Sequence, residues 1–498
     1  MTTEARVQAF LARTRPLLID GQWVEGGGPV CEVRDPATER VIGTIHSATA
    51  ADVDRAVAAA KRAFHGRAWR RMTPAERAKR LWRFADLIET HADELAYLET
   101  LNQGMPIGLA GLLAAHGPAE AVRYYAGWCT KIEGTVPAVS FPDPRAAAAI
   151  GPPYFAYTAR EPLGVVGAIT PWNVPVIMAT AKLAPALAMG NTVVLKPAEL
   201  TPLTALRLGE LLLEADFPPG VVNIVPGPGR VAGHRIASHP DIDKVTFTGS
   251  TATGKAIAHL AIDSLKRVAL ELGGKSPVLV FADADLERTI AAVADAIFMN
   301  SGQICFAGTR VYVERPVYEA VVSGVADIAK RLRVGSGLDK STELGPLISA
   351  AQRDQVMGFI ERARRDGAEI LAGGNRIGER GYFVQPTICA VPRNDMEIAR
   401  EEVFGPVLSV MPFDTAEEAL ALANDSPYGL AAGVFTRSLS IAHGMAAEIR
   451  AGSVWINCYS MLDEALPNGG FGQSGWGREA GRAGVEEFTE IKSVVAGL

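Results

Sequence analysis

From Leu163 onwards, short runs rich in Val, Ile and Thr alternate with helical patterns. Consecutive parallel strands need a crossover of a dozen or more residues, usually a helix, so this repetition reads as parallel sheets covered by helices. The class is α/β. The predicted strands are Val165–Ile169, Thr192–Leu195, Val221–Val225, Lys244–Phe247, Arg267–Leu270 and Val278–Phe281, with helices such as Thr201–Ala215 and Thr253–Leu260 between them. A second α/β run starts after Gly274, with helices over Leu286–Met299 and Val317–Leu332 and strands near Ser409–Phe413, Ala432–Phe435 and Ser453–Ile456. At 498 residues the chain exceeds one ordinary core, so two domains are expected. Earlier in the chain, long amphipathic helices are predicted over Ala51–Phe64, Thr73–Gln103 and Ala119–Ile132, the second opened by the capping box Thr73-Pro74-Ala75-Glu76.

Composition removes several classes of function. Hydrophobic content of 48% and charged content of 21% describe a soluble globular chain. With 55 acidic against 49 basic residues and no basic run, neither nucleic acid nor a membrane surface is an expected partner. Met1–Asp20 lacks the continuous apolar stretch of a secretory signal, and apolar segments such as Leu163–Ile169 stop well short of the roughly 20 residues of a spanning helix. Five scattered cysteines, Cys31, Cys129, Cys305, Cys389 and Cys458, have neither zinc spacing nor an even count, so no metal is expected and a reducing cytoplasm fits.

Two glycine turns suit a nucleotide. Gly227-Pro228-Gly229-Arg230-Val231-Ala232-Gly233 follows a strand but has one residue too many for GxGxxG, so it also reads as a plain strand-to-helix turn. Gly249-Ser250-Thr251-Ala252-Thr253-Gly254 follows Val245-Thr246-Phe247 and opens a helix whose first amides favour phosphate. Lys196-Pro197-Ala198-Glu199 sets an ammonium and a carboxylate at the carboxyl end of a strand, where ligands of open α/β sheets bind. The pair suits a ribose diol or, more blandly, is a solvated salt bridge.

The reactive chemistry centres on Cys305 in Gly302-Gln303-Ile304-Cys305-Phe306-Ala307-Gly308-Thr309-Arg310, with Glu271 upstream in Glu271-Leu272-Gly273-Gly274-Lys275-Ser276-Pro277. A thiol must be a thiolate to attack, and its surroundings must make it one. Flanking glycines allow close backbone approach, so the Cys305 amide is a candidate oxyanion donor; Asn173, between Pro171 and Pro175, is a second, unless it is only a turn residue. The other cysteines read as structural.

These two stretches, with Pro171-Trp172-Asn173-Val174-Pro175 and Glu401-Glu402-Val403-Phe404-Gly405-Pro406, resemble the aldehyde dehydrogenase superfamily in order and spacing, and the likeness covers nearly the whole chain. The resemblance implies a Rossmann-type NAD-binding domain over 1–138 and 162–273, a catalytic domain over 274–473, and an oligomerisation arm from 139–161 and 486–498. It carries Ile169, Trp172, Lys196, Glu199, Gly229, Gly233, Phe247, Gly249, Ser250, Gly254, Leu272, Glu402 and Phe404 onto the cofactor. Ser250 and Trp172 would hold the pyrophosphate, and Glu199 at the ribose would favour NAD over NADP. It further implies that Cys305 forms a thiohemiacetal and then a thioester, which water activated by Glu271 hydrolyses, with Lys182 and Glu479 as a proton relay. A glutamate at 271 favours hydrolysis over acyl transfer to coenzyme A. The positions matching the substrate tunnel are Val174, Met178, Ala181, Phe306, Leu462 and Asn468; the small Val174 and Ala181, with Asn468, point to a medium to bulky uncharged aldehyde. An amidase-like hydrolase would have no use for the nucleotide turns, and a binding scaffold none for the reactive trio. The C-terminal Thr489–Val495 could add an edge strand to a neighbouring subunit, giving a homodimer or homotetramer.

Overall fold

The computed structural model describes residues 2–140 and 154–497. Two sheets organise it. The first runs, edge to edge, Gly475–Trp476, Arg267–Glu271, Lys244–Thr248, Val165–Ile169, Thr192–Lys196, Val222–Ile224, Leu17–Ile19 and Gln22–Val24. Its five inner strands, from Arg267–Glu271 to Val222–Ile224, are parallel, and most are buried on both faces, which is why their sequences are almost continuously apolar. Antiparallel strands from the two ends of the chain finish the edges. From Val165–Ile169 the chain winds one way to Val222–Ile224, then returns to the opposite side at Lys244–Thr248. Such a reversal opens a crevice at the carboxyl ends of the strands on either side of it.

The second sheet runs Glu369–Ala372, Thr387–Ala390, Val407–Phe413, Arg310–Glu314, Pro277–Val280, Ala431–Phe435 and Ser453–Ile456, parallel but for its first pair. Only Leu272–Ser276 separates the last inner strand of one sheet from Pro277–Val280, an inner strand of the other. The carboxyl end of the first therefore faces the amino end of the second, and the space between them is where the predicted motifs meet.

Several expectations need correction. The helix predicted over Thr73–Gln103 is two, Pro74–Thr90 and Ala92–Gln103, because His91 leaves helical geometry (φ −102°, ψ 20°) and its ring bonds Glu94 at 2.9 Å. The capping box at Thr73 and Glu76 forms as read. Four strands within Leu17–His46, including the ribbon Val30–Arg34 with Val41–His46, precede the helices and had no counterpart in the reading. Thr489–Gly497 pairs along its whole length with Tyr154–Pro162 of its own chain. The rest of the arm expected over 139–161 falls, past residue 140, in 141–153, outside the described residues. Among the described residues no helix is long and apolar enough to cross a membrane.

Candidate active site

At the crevice, Ile169, Lys196 and Gly233 surround one space: a Cβ at Gly233 would lie 3.8 Å from Lys196 Cδ and 4.0 Å from Ile169 Cδ1. Gly229–Gly233 forms a single π-helical turn, and the extra residue of that turn accommodates the surplus over GxGxxG. Lys196 Nζ donates to the Pro197 carbonyl (3.0 Å) and lies 3.7 Å from Glu199 Oε2, which also accepts from the Gly229 amide at 3.0 Å. Burial lowers the Lys196 pKa, and Glu199 opposes that shift. On the other side of the crevice Ser250 caps the helix Thr251–Ile262, accepting from the Thr253 amide at 3.3 Å. Gly249 lets the Phe247 ring fold against the backbone, since a Cβ there would lie 3.0 Å from Phe247 Cε2; Gly254 does the same for Leu272, whose Cδ1 would lie at 3.0 Å. A carboxylate acceptor, an ammonium and a capped helix terminus around glycines that present bare backbone fit a dinucleotide.

Toward the second sheet, Phe404 sits edge-on to Trp172 with ring centroids 5.2 Å apart, in a left-handed conformation (φ 54°) held by Gln352 Nε2 on its carbonyl at 2.9 Å. Glu402 accepts from the Gly274 amide at 3.2 Å. Burial pushes its carboxyl up to about 7 against the pull of that bond and of Lys275.

Cys305 follows a strained turn. Asn300, Ser301 and Gly302 are consecutive left-handed residues (φ 48°, 57° and 70°), an arrangement costing of order 1–3 kcal/mol for each non-glycine. The surroundings overdetermine it: Ser301 Oγ donates to Gly345 O (2.7 Å), Asn300 Nδ2 to Asn173 O (2.9 Å), and Gln303 Oε1 accepts from the Ile348 amide (2.9 Å). Asn173 Nδ2 donates to Gln303 O at 2.8 Å, so Asn173 is locked to the cysteine loop and keeps its second amide proton. The half-buried Cys305 thiol is pushed up to about 12, first by burial and then by the Glu402 and Glu271 carboxylates, while the Phe306 and Cys305 amides pull it down. Cys129 and Cys389 lie in apolar cores, consistent with structural roles.

Glu271 ends its strand at the junction, buried, with Oε1 lacking a hydrogen-bond partner among the described residues. Burial, and then the like charge of Glu479, raise its pKa, while Lys182 and Arg478 oppose this. Lys182, fully buried, donates to Glu479 and, at 2.6 Å, to Thr248 Oγ1.

Of the tunnel positions, Val174, Met178 and Phe306 share one apolar cluster with Leu113, Ile177 and Trp455. Phe306 meets Trp455 edge-on at 5.8 Å, and its carbonyl accepts from Tyr459 Oη at 2.8 Å. Ala181 follows Met178 on the same helical face. Leu462 lies outside that cluster, 54% exposed, and Asn468 pairs through its backbone with Glu479 (2.7 and 2.8 Å). Sequence reasoning missed Asn300, Gln303, Gln352, Trp455 and Tyr459, which hold the loops; only the left-handed turn before Cys305, in residues flanking Gly302, left any local signal. Among the described residues no group of three or more His, Cys, Asp or Glu is placed to hold a metal ion.

The model of the aldehyde dehydrogenase family matches residues 23–494. Retinal dehydrogenase 2 of Mus musculus is 45% identical, over 96% of this chain and 91% of its own length. The NAD+ complex of an aldehyde dehydrogenase from Bacillus cereus superposes with a TM-score of 0.96 at 46% identity, covering 99% of this chain and 98% of that one. A betaine aldehyde dehydrogenase from Staphylococcus aureus, also solved with NAD+, gives 0.94 at 36% identity, covering 98% and 96%.

Proposed function

The chain belongs to the aldehyde dehydrogenase family, and from that premise we propose that it oxidises an aldehyde to its carboxylic acid with NAD, through a thioester on Cys305. The observation that carries this reading is Glu271, buried with Oε1 lacking a hydrogen-bond partner among the described residues and close enough for its charge to act on the Cys305 thiol. A thiol held this high surrenders its proton only to an adjacent base, and Glu271, lifted by burial, is suited to take it. Cys305 Sγ then adds to the carbonyl carbon, with the free amide proton of Asn173 and the Cys305 amide stabilising the oxyanion. Bound NAD supplies the acceptor for the hydride that leaves the thiohemiacetal carbon. Once Glu271 has released the thiol proton, it takes a second from water as the water oxygen bonds to the thioester carbonyl; the C–S bond breaks and Cys305 departs as thiolate. The Lys182 and Glu479 ion pair, whose charges act on Glu271, would take up each of these protons in turn. A water-activating glutamate favours a free acid over a coenzyme A ester.

Lys196 and Glu199 would hold the adenosine ribose, where the carboxylate repels a 2′-phosphate and so prefers NAD to NADP. Ser250 and Trp172 would flank the pyrophosphate, with Glu402 and Phe404 at the nicotinamide end. Small Val174 and Ala181, and the lack of a basic or acidic cluster among the tunnel positions, support a medium to bulky uncharged aldehyde; the name of the retinal dehydrogenase relative points the same way. The Tyr154–Pro162 and Thr489–Gly497 ribbon has two outer edges, which suits a homodimer or homotetramer. A cytoplasmic setting suits five unpaired cysteines.

The test is NADH formation from NAD against NADP over aliphatic, aromatic and terpenoid aldehydes, with Cys305→Ala as control. NAD reduction that depends on Cys305 is expected. Reduction of neither cofactor by any aldehyde would refute the reaction, and turnover of only acetaldehyde-sized or only charged aldehydes would refute the substrate class.

A further inference from the structure

The strand Lys244–Thr248 breaks the apolar pattern that Val165–Ile169 beside it keeps. Strands buried in a parallel sheet are apolar, yet Lys244, Thr246 and Thr248 are buried and, being two apart, point to one face. The register sets Arg267 beside Lys244, Ala269 beside Thr246 and Glu271 beside Thr248, so this face carries a line of polar groups that begins at Glu271. Along it, Lys182 Nζ donates to Thr248 Oγ1 (2.6 Å) and to Glu479, and Thr246 Oγ1 donates to Glu479 Oε1 (3.3 Å). One step further, Lys244 Nζ donates to Glu487 Oε2 at 3.0 Å. The Glu487 carboxylate lies over Ala269 in space that a glycine leaves open: a Cβ at Gly477 would sit 3.3 Å from Glu487 Oε1 and 3.4 Å from Ala269 Cβ. Both lysine side chains are 0% exposed and that of Glu487 is 34% exposed, so this end of the line meets water at Glu487. Stability alone is a poor reason for such a line, because well-packed apolar residues commonly match or exceed a buried ion pair.

We propose that Lys244 and Glu487 form the outer leg of the route by which the proton taken up at Glu271 reaches solvent. The inference rests on the hydrolytic step proposed above. The proton that water gives to Glu271 moves to the Glu479 and Lys182 pair and crosses the Thr246 hydroxyl, which accepts one proton as it releases another. The Lys244 ammonium gives a proton to the Glu487 carboxylate, which releases it to water, and the amine so formed takes up the proton from Thr246. Only O–H and N–H bonds break and form, and one proton leaves by this route for each water that attacks the thioester. Burial lowers the Lys244 pKa, which eases that release; the facing charges are Glu487 and Glu479, which favour the ammonium, and Lys182, which opposes it. Across Glu479 lies a rival exit, Glu464, bonded to Tyr125.

The decisive variant is Glu487→Gln, which keeps an acceptor for Lys244 but cannot carry the proton. Hydrolysis of preformed acyl-enzyme is followed in H2O and D2O across pH, beside the initial NADH burst. The burst is expected to stay at the wild-type level while hydrolysis slows about 10-fold or more, with a larger solvent isotope effect and partial rescue by imidazole. Glu464→Gln should hydrolyse at the wild-type rate. Wild-type hydrolysis and isotope effect in Glu487→Gln, a lowered Tm as its only change, or slowing in Glu464→Gln instead would each overturn the proposal. Should a single variant fail to fold, the double replacement Lys244→Met with Glu487→Met removes both charges without leaving an unpaired ion and carries the same test. Absence of a Cys305-dependent burst in the wild-type protein would instead refute the parent reaction.

Discussion

A Cβ added at Gly273 would overlap Glu402 Oε2 and lie 2.7 Å from its Cδ. The obstructing atoms are the tip of a side chain, so the carboxylate swings aside and the backbone stays. Its bond from the Gly274 amide (3.2 Å) is lost, and with it the acceptor offered to the nicotinamide ribose. A hydrogen bond to a charged group contributes about 1.5–3 kcal/mol, and about 1.4 kcal/mol is a factor of ten. Gly273→Ala should therefore raise the KM for NAD roughly 10- to 150-fold with little change in Tm. Gly302→Ala makes the contrast: its Cβ would overlap the Gly405 carbonyl oxygen and lie 2.9 Å from Pro406 N, at φ 70°, so the fold itself suffers. Initial rates at varied NAD, with thermal unfolding of both variants, decide the matter. A folded Gly273→Ala protein with unchanged KM for NAD, or a Tm loss equal to that of Gly302→Ala, would refute the reasoning.

Glu271→Gln is expected to give a stoichiometric NADH burst with almost no further turnover, measured by stopped-flow absorbance; full steady-state turnover would remove Glu271 from the hydrolytic step. The KM for NAD should fall as pH rises through about 7, because the Glu402 carboxylate accepts hydroxyl bonds better than its acid does, and Glu402→Gln should flatten that profile. Glu99 is buried with Oε2 unpartnered, and burial pushes its carboxyl up to about 8. The native state thus holds a proton that the unfolded chain releases, so Glu99 takes away stability as pH rises from near 4.5 to about 8. Glu99→Gln should raise Tm at neutral pH, by an amount that shrinks as the pH is lowered toward 4.5.

Much of the site was legible because its chemistry is concentrated in short stretches. Cys305 stands among glycines, Glu271 beside Gly273-Gly274, and the inner strands of both sheets are apolar enough to mark parallel pairing before any contact is known. What escaped the reading is made by distance. Tyr459 and Trp455 support Phe306 from about 150 positions away, and Gln303 is ordinary until the Ile348 amide bonds its side chain. The ribbon at Val30–His46 is half-exposed and carries neither the alternation nor the apolar run that identifies a strand. His91 resembles any helical residue until Glu94 claims its ring.

The first sheet starts with Leu17–Ile19 and Gln22–Val24 at one edge and is closed at the other by Gly475–Trp476. A ribosome adding about 5–20 residues per second leaves the edge at Arg267–Glu271 bare for roughly 10–40 s before its partner emerges. During that interval the nascent chain exposes the strand that ends in Glu271 as a template for stray pairing. Its safety then depends on chaperones, or on the charge of Arg267 at the strand's start, until the last few dozen residues leave the tunnel.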